Sequence, residues 1–159
     1  MSQSKIAQLT KYLIDAQYQG KKLALDTQFK TSVEQGVIIP ASKKINSNGL
    51  LAARLYYSSV ISIDPCFAPV ELISAYVSFW LQNNGTGDDS QNAEFASTIN
   101  DDNSYEIEIA IDTFEETIEL IEQEDGPFEL DGKCYDFGQQ SLWIAEKFNL
   151  TGSVYSAED

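Results

Sequence analysis

With 159 residues, 43% of them hydrophobic and 22% charged, the chain has the composition of one ordinary globular domain. Its charge is less ordinary: 25 Asp and Glu against 10 Lys and Arg give a formal −15, which repels a phosphate backbone and an anionic membrane surface, serves solubility, and favours cationic partners or none. There is no histidine, which excludes Ser-His-Asp and Cys-His catalysis and histidine-built zinc sites within one chain.

The first predicted element is an amphipathic helix over residues 4–19. Ile6, Leu9, Tyr12, Leu13 and Ala16 recur at helical spacing, Ser4 suits its cap and Gly20 its end. Leu23-Ala24-Leu25 and Val37-Ile38-Ile39 are short apolar runs of strand type. Pro40 stops the second run or places it at a sheet edge, and residues 41–49 read as a loop. Over 51–63 the odd positions are mostly apolar, while the even ones include Arg54, Ser58 and Ser62. That period of two predicts a strand covered on one side and ended by Asp64-Pro65. Residues 69–83 predict a second helix, with Pro69 at its start and Gly85 placed for a left-handed cap. Its apolar residues cover nearly the whole circumference, so burial on most sides is expected. Tyr56, Tyr57, Phe79 and Trp80 belong to core and rim rather than to a base-stacking platform, since no basic groove accompanies them.

Residues 95–99 and 105–111 predict a hairpin around Asn100-Asp101-Asp102-Asn103. Beyond it Tyr105, Ile107, Ile109 and Ile111 are apolar at odd positions, and Phe114, Ile118 and Leu120 at even ones. One residue of slip exchanges the faces, so a bulge or break is expected between Ile111 and Phe114. An unbroken strand over 105–122 would span roughly 60 Å, long for a compact domain. Asp131-Gly132 predicts a two-residue turn in a second hairpin, residues 141–148 fit strand or helix, and 151–159 read as a flexible tail after a single domain over 1–150. The expected fold is α+β: a largely antiparallel, or mixed, sheet with two main helices on one face. Trp80, Ile73, Val77, Leu55, Ile61, Ile107 and Ile109 should be buried together, and Cys66 and Cys134 should be buried free thiols. Residues 1–12 lack the apolar core of a secretory signal, and the apolar stretch 67–81 is interrupted by Glu71 and too short for a membrane span.

Few segments carry chemistry. Gly85-Thr86-Gly87-Asp88-Asp89 lacks the lysine of a phosphate loop and follows a helix rather than a strand. Residues 101–112 have Glu106 and Asp112 where a calcium loop wants glycine and glutamate, and a hairpin turn explains the same residues. The acidic run is richer. Glu106, Glu108 and Asp112 share one strand face, and Glu115 and Glu116 follow, with Glu119 and Glu122 beyond. Alternation with isoleucine is what a solvated outer face shows; a protein-facing surface and paired carboxylates in a catalytic cleft are the other uses.

Taken together, several segments carry a resemblance. They are the strand Leu55-Tyr56-Tyr57-Ser58-Ser59-Val60-Ile61-Ser62-Ile63, the helix end Trp80-Leu81-Gln82-Asn83-Asn84, the hairpin from Ile99 through Asn100-Asp101-Asp102-Asn103 to Ile109, Glu116-Thr117, and Glu124-Asp125-Gly126. In order and spacing, over about 51–126, the chain resembles the phage tail completion protein R family, GpR. It departs in a longer segment over 25–48 and in lacking a C-terminal proline-rich stretch.

The resemblance implies a tail-terminator-like fold and a non-catalytic role at the head-proximal end of a contractile phage or prophage tail. It implies no enzyme activity, cofactor or metal, so no catalytic residue carries over. Expected partners are other tail or head–tail joining proteins and further copies of the chain, in a six-membered ring by analogy with tail terminators, with no nucleic acid and no membrane. Glu106, Glu108, Asp112, Glu115 and Glu116 are the candidate contact residues. The expected location is the host cytoplasm during assembly and then the virion tail. Two alternatives come from other classes: an acidic DNA mimic that occupies a DNA-binding protein, and an enzyme using paired carboxylates with a divalent metal.

Overall fold

A computed structural model describes residues 3–137; the expectations for 138–159, including the tail and the cut at residue 150, lie outside the described residues. The elements run α1 (Lys5–Asp15), β1 (Gln17–Tyr18), β2 (Lys21–Lys22), a 3-10 turn (Asp26–Gln28), β3 (Phe29–Lys44), β4 (Gly49–Cys66), α2 (Val70–Asn84), β5 (Glu94–Ile99), β6 (Tyr105–Glu122), β7 (Phe128–Leu130) and β8 (Lys133–Asp136). The main sheet has the order β3-β4-β6-β8-β7, with β5 also on β6, and every pairing is antiparallel. The fold is therefore α+β, with no parallel pair among the described residues.

Ser4 caps α1, its Oγ accepting from Ala7 N at 3.3 Å, and Ile6, Leu9 and Leu13 form the buried stripe. The helix ends at Asp15, earlier than expected, because Gln19 and Gly20 both take positive φ and turn the chain into the β1–β2 hairpin. Leu23 and Ala24 are buried outside any strand. The expected loop over 41–49 is shorter, since β3 runs on to Lys44. Pro40 is tolerated because β3 is, among the described residues, an edge strand bonded to β4 on one side only.

β4 and β6 are each 18 residues long and pair along their whole length. The strand length that looked excessive is thus realised; bulges curve the pair and mutual pairing satisfies both backbones. The expected bulge is present. Tyr57 pairs with Phe114 and Ser59 with Ile111, so Asp112 and Thr113 together face Ser58. Ile107, Ile109 and Ile111 before it and Phe114 after it are all buried, so the slip keeps apolar side chains on the core side. The two-residue turn also forms, with Asp131 at φ 53° and Gly132 at φ 82°.

One core cluster joins Ile6, Leu9 and Leu13 of α1, Ile73, Val77 and Trp80 of α2, and Ile61, Ile63, Ile107, Ile109 and Phe114 of the sheet. A smaller cluster of Leu50, Leu120 and Tyr135 sits at the far end of the sheet. Leu55 is only half-buried and belongs to neither, because it lies past the bulge, away from the helices. α2 buries Ile73, Val77, Trp80 and Leu81 alone. Phe79 is 63% exposed, so the expected burial on most sides does not occur: one face of α2 meets the sheet, and no described element covers the other. Gly85 has φ −68° and caps by donating from its N–H to Leu81 O, not as a left-handed residue. Cys66 is buried as expected, whereas Cys134 is half-buried; both thiols are free.

Candidate functional site

Three segments distant in sequence meet at the bulge: the start of α1, the loop between α2 and β5, and β6 just past Thr113. A bulge leaves backbone groups without ladder partners. Here Ser90 answers for both groups of Thr113, donating from its N–H to Thr113 O at 2.8 Å and accepting at Oγ from Thr113 N at 2.9 Å. One residue away, the Asp89 carboxylate accepts from Glu115 N at 2.7 Å and from Thr86 N at 2.9 Å, and binds Lys5 Nζ at 2.7 Å. Its side chain is 2% exposed, so this is a buried ion pair with its remaining lone pairs satisfied.

Glu116 lies beside it. Its Oε2 accepts from Lys5 N at 2.6 Å and from the Tyr57 hydroxyl at 2.6 Å, while that hydroxyl accepts from Ile6 N at 3.4 Å. Glu115 turns to the other strand face, accepting from Asp88 N at 2.9 Å and pairing with Arg54 Nε at 3.3 Å. Gly87 is required here: it takes φ 57°, and a Cβ would run into the Glu115 carboxylate. The candidate contact residues therefore divide. Glu106, Glu108 and Asp112 are exposed on β6, whereas Glu115 and Glu116 are half-buried and bonded within the chain. Lys5, Tyr57, Asp89 and Ser90, the partners that complete the cluster, carried no motif of their own. The signal for them was the adjacency of Glu115-Glu116 to the parity switch, which set two carboxylates on opposite faces where a strand is bent.

Burial pushes the Glu116 carboxyl above its ordinary 4.5, against the hydrogen bonds from Lys5 N and Tyr57, and burial with the Glu116 charge raises the Tyr57 phenol far above its usual range. Because folded Glu116 holds its proton more tightly than unfolded Glu116, its contribution to stability is complete below pH 4.5 and is lost as pH rises through the folded value. Urea midpoints measured between about pH 4 and 7 should fall with rising pH, and Glu116→Gln should flatten that fall. An equal slope in both proteins would show that other groups carry it.

The cluster fastens three segments to one another, each buried carboxylate accepting from fixed donors. No group of three or more metal-ligating side chains occurs among the described residues. The turn at Asn100–Ser104 is held by its own bonds, with Ser104 N and Oγ donating to Asp102 Oδ1 at 3.1 and 2.6 Å, as a hairpin turn rather than a calcium loop requires. A groove of about 310 Å³ between α2 and β5 is lined chiefly by Val77, Leu81, Phe95, Ile109 and serines, with Glu94 its one titratable group.

Fold and cluster define an antiparallel α+β protein whose buried charges tie distant elements together. A family model for P2 phage tail completion protein R (GpR) matches residues 3–137, and the chain belongs to that family. The match extends past both ends of the 51–126 stretch that carried the resemblance and takes in α1, β3 and the β7–β8 hairpin. No curated protein and no solved structure matches the chain.

Proposed function

We propose that this tail completion protein acts without catalysis at the head-proximal end of the tail, finishing it and preparing it for head joining. The family match over the whole described fold carries the reading, and the inward use of Glu115, Glu116 and Asp89 supports it. The chain works in the host cytoplasm during assembly and remains in the virion tail. Its partners are other tail or head–tail joining proteins and further copies of itself, arranged as a ring that matches the rotational symmetry of a tail tube. The exposed carboxylates Glu106, Glu108 and Asp112 belong to its contact surface.

Deletion of the gene from its phage should leave heads and tails unjoined in electron micrographs of lysates. An affinity label on the chain should decorate the tail end nearest the head in intact virions. Normal joined particles without the chain, or a label at the opposite end of the tail, would refute the assignment.

A further inference from the structure

Charge is unevenly distributed across the sheet. Residues 21–44, which include edge strand β3, carry five lysines (Lys21, Lys22, Lys30, Lys43, Lys44) against Asp26 and Glu34. Residues 88–136 carry 17 acidic side chains against Lys133 alone. All five lysines are exposed, and none takes part in an ion pair among the described residues. A chain with a formal −15 thus keeps a basic margin at β3 through Lys30, Lys43 and Lys44, while Lys21 and Lys22 stand on the separate β1–β2 hairpin.

That margin is also apolar and unpaired. Among the described residues β3 bonds only to β4, and along it Val33, Val37, Ile38 and Ile39 are 50, 57, 71 and 46% exposed. Edges of soluble proteins are normally shortened or charged to prevent such display. On the opposite side of the sheet β5 bonds, among the described residues, only to β6, and it exposes Phe95 at 60% and Ile99 at 67%. Its surroundings are acidic: Glu94 stands on β5, and Glu106 and Glu108 pair with Thr98 and Ala96 across from it. Among the described residues, one molecule therefore has two unpaired apolar edges of opposite charge.

We infer that the β3 edge of one copy docks against the β5 edge of a second copy, head to tail. Main-chain bonding between the two edges extends the sheet, Ile38 meets Phe95 and Ile99 on the sheet face they share, and Lys43 and Lys44 approach Glu94, Glu106 and Glu108. Two different surfaces meet, so the interface is heterologous and propagates until it closes. The inference deepens the ring proposed above and gives Glu106 and Glu108 a cationic partner within the same protein. Net repulsion between copies is long-ranged, and at 0.15 M salt, where the Debye length is about 8 Å, the contact charges decide.

The test uses the full chain at about 0.15 M salt and sedimentation velocity. Wild type should form species larger than a monomer as concentration rises. Ile38→Lys and Phe95→Lys, both exposed positions, should melt as wild type does yet sediment as monomers. Mixed in equal amounts, the two variants should form a dimer and nothing larger, because each retains one sound edge that fits the other. Three results would overturn the inference. In the first, Phe95→Lys keeps dimerising while Ile38→Lys does not, which is β3 pairing with itself. In the second, the mixture stays monomeric while wild type associates, which is another interface. In the third, wild type stays monomeric at every concentration, which leaves the two edges without affinity for each other. The tail-end labelling experiment is independent: these edges can hold while the tail-end location fails, and the reverse.

Discussion

Trp80→Ala should destabilise the protein by about 3–5 kcal/mol, the usual cost of emptying a large aromatic from a core. Trp80 is 5% exposed and meets Phe114 edge to face, with ring centroids 6.0 Å apart and planes at 80°. Phe114 in turn packs against Tyr57 at 5.9 Å, so the three rings join α2 to both long strands directly above the bulge. The loss is a large share of the roughly 5–15 kcal/mol that holds a typical domain folded. It should appear as a drop of about 6–20 °C in melting temperature for a chain of this size. Phe79→Ala, on the exposed side of the same helix, is the control and should change melting little. Equal melting of Trp80→Ala and wild type would remove Trp80 from the core.

Asp89→Ala should be comparably severe, at about 3–5 kcal/mol, although it deletes only a small polar side chain. Three donors lose their acceptor together. Lys5 Nζ keeps Thr86 Oγ1 at 2.8 Å, but the N–H groups of Thr86 and Glu115 lose their side-chain acceptor. Lys5→Met should cost less, because Asp89 then still accepts from two backbone donors and the methionine refills the space of the lysine stem. Chemical denaturation of both single variants and the double variant would give the coupling between them. Equal losses from Asp89→Ala and Lys5→Met would mean that the ion pair, not the backbone bonds, dominates the cluster.

Period and turn chemistry made much of this fold legible in the sequence. The parity switch from Ile111 to Phe114 located the bulge, because a side chain on the wrong face of a half-buried strand is costly wherever it occurs. Asp131-Gly132 located the second hairpin, because few residue pairs accept two positive φ angles in succession. The length of β3 was hidden because an edge strand need not alternate: with one side unpaired among the described residues, Glu34, Gln35, Gly36 and Pro40 interrupt the pattern without breaking the strand. α2 misled in the opposite direction. An all-round apolar helix implies burial only when something covers each side, and no described element covers Phe79. The family was legible from the order of the β4–α2–β5–β6 segments. The cluster around Asp89 was not, since its members come from three regions that only the folded chain brings together.

The pairing of β4 with β6 also sets the order in which the chain can fold. Its register joins Cys66 to Tyr105 at one end and Gly49 to Ile121 at the other, with α2 and β5 between the strands in sequence. Ring closure is therefore least costly at the Cys66–Tyr105 end, and pairing that starts there can proceed stepwise, as a zip closes, toward Gly49–Ile121. Non-local pairing of this kind raises contact order, so folding should be slower than that of helical bundles. The far end, held by Leu50, Leu120 and Tyr135, should complete last. Amide exchange should rank the two ends accordingly, with Gly49–Ile121 opening at a lower free energy than the stretch beneath the helices.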